Sequence, residues 1–194
     1  MKTIKEGEGT LVPLEIASHH EPPDIVYWDA LHVWSWTLYV AATPFGVCRV
    51  TLPGESLEDD EKWRKRFMPD APWRHEPRVL HTFTQQIREY FAGTRQDFSG
   101  TLDLYGTPFQ RAVWKALLTI PFGETRSYQD IAHMIHHPKA VRAVGGANHA
   151  NRIPIIIPCH RVIGKQGDLV GYGGGLDVKK ALLSWEQQTR QLFG

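Results

Sequence analysis

Residues 138–162 read PKAVRAVGGANHANRIPIIIPCHRV, and this stretch decides how the second half of the chain is built. Pro138 predicts the opening of a short helix over residues 139–148. The composition of that helix is odd for a packing element. Most of its residues are small, and Gly145 and Gly146 each cost a helix about 1 kcal/mol relative to alanine. Two explanations fit: tight packing on a neighbouring helix, or close approach to another large surface, for which DNA is a candidate. Downstream, the apolar run Ile153–Ile157 predicts a buried segment that delivers Pro158-Cys159-His160-Arg161-Val162.

Working outward, Thr107-Pro108-Phe109-Gln110 has the capping-box form, with proline at the first helical position. The helix it opens carries Phe109, Val113, Trp114 and Leu117 on one stripe and stops near Pro121. Ser127-Tyr128-Gln129-Asp130 starts another helix to about His136, with a weaker capping signature. Followed by the helix over 139–148, it forms a helix-turn-helix.

The first half reads differently. Residues 1–23 are polar and predict a loose lead-in. The run Val33–Val40 suggests a strand, and a second over Gly46–Leu52 follows the turn-like Thr43-Pro44-Phe45-Gly46, so the pair predicts a hairpin. The mixed-charge run Glu55–Arg66 suits a solvated helix face better than a site. Residues Val79–Ala92 space Leu80, Phe83, Ile87, Tyr90 and Phe91 as an amphipathic helix ending at Gly93. Residues 94–106 read as a connector, with a domain boundary at 97/98. The expected fold is an α/β N-terminal domain, a small sheet with one or two helices, and a mainly α, winged helix-turn-helix C-terminal domain.

Composition excludes some classes. The 194 residues are 42% hydrophobic and 22% charged, without an apolar run of membrane-spanning length. Nor does the start resemble a signal peptide, so a cytoplasmic, nucleoid-associated location is expected. The two cysteines, Cys48 and Cys159, fit a reducing compartment and make no Cys-x-x-Cys spacing. Histidines at 19, 20, 32, 75 and 81 lack the usual ligand spacing, so neither metal nor cofactor is expected. Residues 1–99 hold 11 Lys/Arg against 15 Asp/Glu, whereas residues 100–194 hold 11 against 6. A basic half joined to an acidic one suits a chain of which one half faces a polyanion.

A free thiol, with a pKa near about 8.5, is mostly protonated at neutral pH and needs a base to act as a nucleophile. His160 is an adjacent candidate, and Glu186 would orient its imidazole. By spacing alone, a cysteine beside a histidine is more often structural than catalytic.

Arg142-Ala143-Val144-Gly145-Gly146-Ala147-Asn148, Asn151 and Ile157-Pro158-Cys159-His160-Arg161-Val162 resemble the signature of the O6-alkylguanine-DNA alkyltransferases. Gly106–Gln110, Val113-Trp114, Ser127-Tyr128 and Gly171-Tyr172 followed by Gly174-Gly175-Leu176 match too. The resemblance implies irreversible transfer of an alkyl group from O6-alkylguanine, and from O4-alkylthymine, in duplex DNA to Cys159. Each molecule would act once, as a monomer with no obligate protein partner. His160 would relay the thiol proton through water, Glu186 would complete the network, and Asn151 would hold the active-site turn. Arg142 would fill the stack after the nucleotide flips out, and Tyr128 would crowd the target phosphate and hydrogen-bond guanine N3. Ala143, Gly145, Gly146, Ala147 and Asn148 would face the minor groove, with Pro154, Val162, Tyr172 and Gly173 around the base.

Two departures stand out. Arg152 replaces a proline common in relatives, and Gly173 replaces a residue that often bears a side chain, which would widen the pocket. Two rival functions belong to other classes. A lesion sensor without transfer activity would carry a non-nucleophilic residue at position 159. A cysteine hydrolase would need an oxyanion hole, which the sequence does not identify.

Overall fold

The computed structural model describes residues 13–18 and 22–193. Most of the expected lead-in, with His19 and His20, lies outside those residues. Its described part is not loose: Leu14 and Ile16 pack on the core, and β1 (Leu14–Ile16) pairs with a strand far along the chain. Six strands form one mixed sheet: β1, β2 (Val26–Val33), β3 (Trp36–Thr43), β4 (Gly46–Val50), β5 (Trp73–His75) and β6 (Gly100–Leu102). Their spatial order is β1-β6-β4-β3-β2-β5, with an antiparallel β2-β3-β4 meander and parallel additions on both sides.

The strand expected over Val33–Val40 is two strands. The chain reverses at Trp34-Ser35, and Trp34 takes a left-handed φ of 50°. No glycine or asparagine marks this turn. Trp34 sits there because its ring packs edge-on against Trp36, Phe91 and Trp185. The Thr43–Gly46 turn does join two antiparallel strands, β3 and β4. Strand β6 lies within the expected connector, so the sheet continues past residue 97 to Leu102.

Side chains alternate across the sheet, as the period of two requires. Along β3, Leu38, Val40 and Ala42 enter the main core, while Ala41 joins a second cluster with Val26, Cys48, Trp63 and Met68. Helix α1 (Glu61–Phe67) supplies Trp63 to that second face, and α2 (Pro77–Phe91) buries Leu80, Ile87, Tyr90 and Phe91 on the main one.

In the second half come α3 (Pro108–Leu117), β7 (Arg126–Ser127), α4 (Tyr128–Met134), α5 (Val141–His149), β8 (Val162–Ile163) and α6 (Leu176–Phe193). Thr107 and Gln110 complete a capping box, and so do Ser127 and Asp130, the weaker signature by sequence. α5 begins two residues later than its sequence suggests, at an Ala140 cap that offers no side-chain acceptor. The main core runs unbroken from the sheet through α2 into α3, α4, α5 and α6. No helix among the described residues is long and apolar enough to cross a membrane.

Candidate active site

Cys159 is delivered by a turn that Asn151 ties shut. The Asn151 Oδ1 accepts from the Ile153 amide at 2.9 Å, and its Nδ2 donates to the Ile157 carbonyl at 2.9 Å. Residues 153–157 are all buried, and Ile155 is forced to a φ of 75°. A β-branched residue there stores strain of about 1–3 kcal/mol, tolerable only because the surroundings fix it. The chain leaves this turn through Pro158 into a single 3-10 turn, Cys159–Arg161. Asn148 Nδ2 donates to the Cys159 carbonyl at 3.3 Å, which ties α5 to the same turn.

Behind Cys159 lies a buried carboxylate with every acceptor site engaged. Glu186 Oε1 takes His160 Nε2 at 2.8 Å, the Tyr90 hydroxyl at 2.7 Å and Arg161 NH2 at 2.9 Å. Oε2 takes Arg161 Nε at 2.9 Å and the Gly123 amide at 3.0 Å. Burial pushes Glu186 up, but the interactions with His160 and Arg161, hydrogen bonds from both and the Arg161 charge, outweigh it and hold the carboxyl well below its usual range. An ionised carboxylate only accepts, so Nε2 of the neutral imidazole carries the hydrogen and Nδ1 the lone pair. That Nδ1 is buried without a hydrogen-bond partner among the described residues. Burial lowers the His160 pKa in spite of Glu186, so the ring is neutral at pH 7.

Burial likewise pushes the Cys159 thiol up to about 11, against the opposing pull of Asn151, Lys179 and Tyr172. At neutral pH such a thiol is ionised on the order of once in ten thousand. No direct hydrogen bond joins its sulfur to His160 among the described residues, so proton transfer between them requires a bridge. Lys179 is fully buried, donates to the Val162 and Val170 carbonyls at 2.6 and 3.0 Å, and adds positive charge near the sulfur. The sequence reading missed Lys179, and α6 with it. The signal was there: Lys179, Leu182, Leu183, Glu186 and Thr189 repeat at helical spacing, and all are buried.

Cys159 opens into a cavity of about 540 Å³. Of the residues expected around it, Tyr128, Arg142, Gly145, Asn148, Asn151, Pro154, Tyr172 and Gly173 line the wall. Val162 does not; it is buried and its carbonyl is occupied by Lys179. His160 and Glu186 lie behind the wall. The Tyr128 hydroxyl donates to the Val170 carbonyl at 3.1 Å, and burial raises its pKa, so it remains a donor. Another part of the wall comes from the first half: Arg49, Leu52 and Glu55. Glu55 and Asp60 pair with Arg49, and Arg152 reaches Asp60 at 3.1 Å. The run expected to be only a solvated face therefore includes a buried ionic clasp on the cavity.

α5 divides its residues between two faces. Ala147 and Asn148, expected to face DNA, are turned inward, and Trp114 Nε1 donates to the Ala147 carbonyl at 2.8 Å. Nine residues of helix must bury one stripe, and Val144, Ala147 and Asn148 form it. Arg142, Ala143 and Gly146 are exposed. A methyl group at Gly146 would meet nothing within 4 Å, and one at Gly145 only a Tyr128 ring carbon at 4.0 Å. Packing among the described residues does not explain these glycines. Among the described residues no group of three or more His, Cys, Asp or Glu is placed to hold a metal ion.

Known proteins resemble the chain along both of its halves. Residues 26–104 match the family model described as "6-O-methylguanine DNA methyltransferase, ribonuclease-like domain", and residues 108–188 match the "6-O-methylguanine DNA methyltransferase, DNA binding domain". An inducible methylated-DNA–protein-cysteine methyltransferase of Bacillus subtilis is 40% identical over 164 residues, 84% of this chain and 92% of the relative. A Mycobacterium tuberculosis protein of the same name is 56% identical over 146 residues, 75% and 88% of the two chains. The crystal structure of Mycobacterium tuberculosis OGT in complex with DNA superposes with a TM-score of 0.73 at 40% identity, covering 87% of this chain and 99% of that one.

Proposed function

Because the chain belongs to the methylated-DNA–protein-cysteine methyltransferase family, we propose that it repairs DNA by taking alkyl groups from O6 of guanine onto Cys159. One observation supports this above the rest: the cavity that holds Cys159 opens beside a helix whose Gly145 and Gly146 have no packing purpose among the described residues.

A base inside a duplex is out of reach of a buried thiol, so the damaged nucleotide must rotate out, at a cost of a few kcal/mol in lost stacking and pairing. Arg142, exposed on α5 at the cavity mouth, fills the gap it leaves. His160 Nδ1 accepts the thiol proton through a bridging water. The sulfur then attacks the alkyl carbon in line as the bond from carbon to O6 breaks. Sulfur loses a proton and gains carbon; guanine loses carbon and gains a proton. Tyr128 exchanges the Val170 carbonyl for guanine N3 and eases the base's departure. Asn151 and Asn148 hold the turn in place, and Pro154, Tyr172 and Gly173 bound the pocket. The thioether does not revert, so each molecule acts once. The same chemistry extends to O4-alkylthymine.

We take it to act as a monomer. Two free cysteines support a reducing, cytoplasmic location. We place the domain division between residues 104 and 108, later than 97/98, because β6 belongs to the sheet.

The decisive experiment incubates the protein with duplex carrying labelled O6-methylguanine. Expected is one equivalent of label on the protein, with a gain of about 14 Da (one CH₂) on the Cys159 peptide, and none in Cys159→Ala. Binding without transfer would make the protein a lesion sensor; turnover beyond one equivalent would make it an enzyme of another sort.

A further inference from the structure

Tyr90 belongs to α2, in the first half of the chain, yet its hydroxyl reaches the chemistry of the second. It is fully buried and donates to Glu186 Oε1 at 2.7 Å, the oxygen that also holds His160. Its ring is packed by Phe91, Phe98 and Phe122, and its carbonyl accepts from Trp185 Nε1 at 3.2 Å. We propose that Tyr90 is a positioning residue: by donating to Oε1 it aims the carboxylate and limits how tightly Glu186 holds a proton on His160. The role rests on the reading of His160 as the base.

Three donors share one oxygen, and each draws negative charge from it. Burial, followed by the Glu186 charge, raises the phenol far above its ordinary value, so it stays a donor at any working pH. The groups that face His160 are Glu186 and Lys179 of α6, Cys159 and Arg161 of its own turn, and Tyr90 through Glu186. Burial, Arg161 and Lys179 disfavour the imidazolium, and Glu186 favours it. Removing the phenol strengthens the one favourable partner, and His160 then gives up its proton less readily.

The test compares wild type with Tyr90→Phe, which keeps the aromatic packing and deletes only the hydroxyl. The His160 ring is titrated by NMR, its signal assigned from its absence in His160→Gln. The midpoint is expected to rise by about half a unit or more in Tyr90→Phe, since hydrogen bonds to charged groups are strong. An unchanged or lower midpoint overturns the proposal. Trp185→Phe loses the bond to the Tyr90 carbonyl but keeps the hydroxyl, and should leave the midpoint alone. An equal shift there would reduce Tyr90 to general support and overturn the assignment. In single-turnover transfer from saturating methylated duplex, the acid limb of the rate should move up by the same amount. If wild type transfers no methyl group, the proposed function fails, and the NMR titration still decides what Tyr90 does to His160.

Discussion

A thiol held near about 11 and an imidazole held below its ordinary value are both uncharged at neutral pH. In the mechanism proposed above, the sulfur is stored inert and reaction begins when the proton moves to His160. Transfer rates should therefore be flat from the acid limb, below about 6.5, up towards the thiol's own ionisation. In His160→Gln the rate should be slower and climb about tenfold per pH unit across 7–10, because only spontaneous ionisation supplies thiolate. Stopped-flow single-turnover kinetics would read this, and a flat profile in the variant would remove the base role. Gly173 makes a second prediction at this scale. A Cβ there would lie 3.5 Å from Leu52 Cδ1, an ordinary contact, so Gly173→Ser should fold normally while narrowing the cavity. Benzyl transfer should slow by more than methyl transfer; equal slowing would show that this wall does not meet the alkyl group.

Among the elements, α5 is where stability and binding pull apart. Gly146 has a helical backbone, an exposed position and open space around it. Gly146→Leu should leave the melting temperature unchanged or raise it, since leucine favours a helix over glycine by about 0.8 kcal/mol. Affinity for duplex, measured by fluorescence anisotropy at fixed salt, should fall at least severalfold because the side chain holds the backbone off the groove. Unchanged affinity would place DNA elsewhere. α6 shows the converse economy: a lysine and a glutamate at two buried stripe positions carry the polar chemistry, and leucines between them carry the packing.

Across the whole molecule, the two halves meet through polar groups as well as apolar ones. The Val50 amide donates to the Arg152 carbonyl at 2.9 Å, Arg152 reaches Asp60, and Tyr90 reaches Glu186. Glu186 thus joins α2, the 3-10 turn, the Gly123 loop and α6. Its depressed carboxyl contributes stability that is fully present above the unfolded value of about 4.3 and lost as pH falls through the folded one. Unfolding free energy should begin to decline below about 6.5, where the unfolded His160 takes up a proton that the buried neutral ring does not, and fall further below about 5 as Glu186 is protonated. Glu186→Gln should cost about 3–5 kcal/mol at pH 7, because Arg161 is left buried without its counter-ion, and should flatten the acid decline. Denaturant titrations at pH 7 and 4 check both; an equal acid loss in the variant would assign it to other carboxylates.

Local patterns were enough for the capped helices α3 and α4, the amphipathic α2, the β3–β4 turn and the block around Cys159, because each is set by neighbours within a few residues. The Trp34 turn was hidden, since an aromatic residue accepts a left-handed backbone there only to pack on Trp36, Phe91 and distant Trp185. The Tyr90 bond to Glu186, the place of Leu52 and Glu55 on the cavity wall and the Asp60–Arg152 pair were beyond reach for a related reason. Each acquires its role by meeting residues of the other half of the chain, and that meeting is set by the fold rather than by neighbours in sequence. The sequence singled out the candidate thiol and the kind of helix that stands beside it. Only tertiary structure decided which side chains surround that atom, because distance and dielectric are properties of the folded chain.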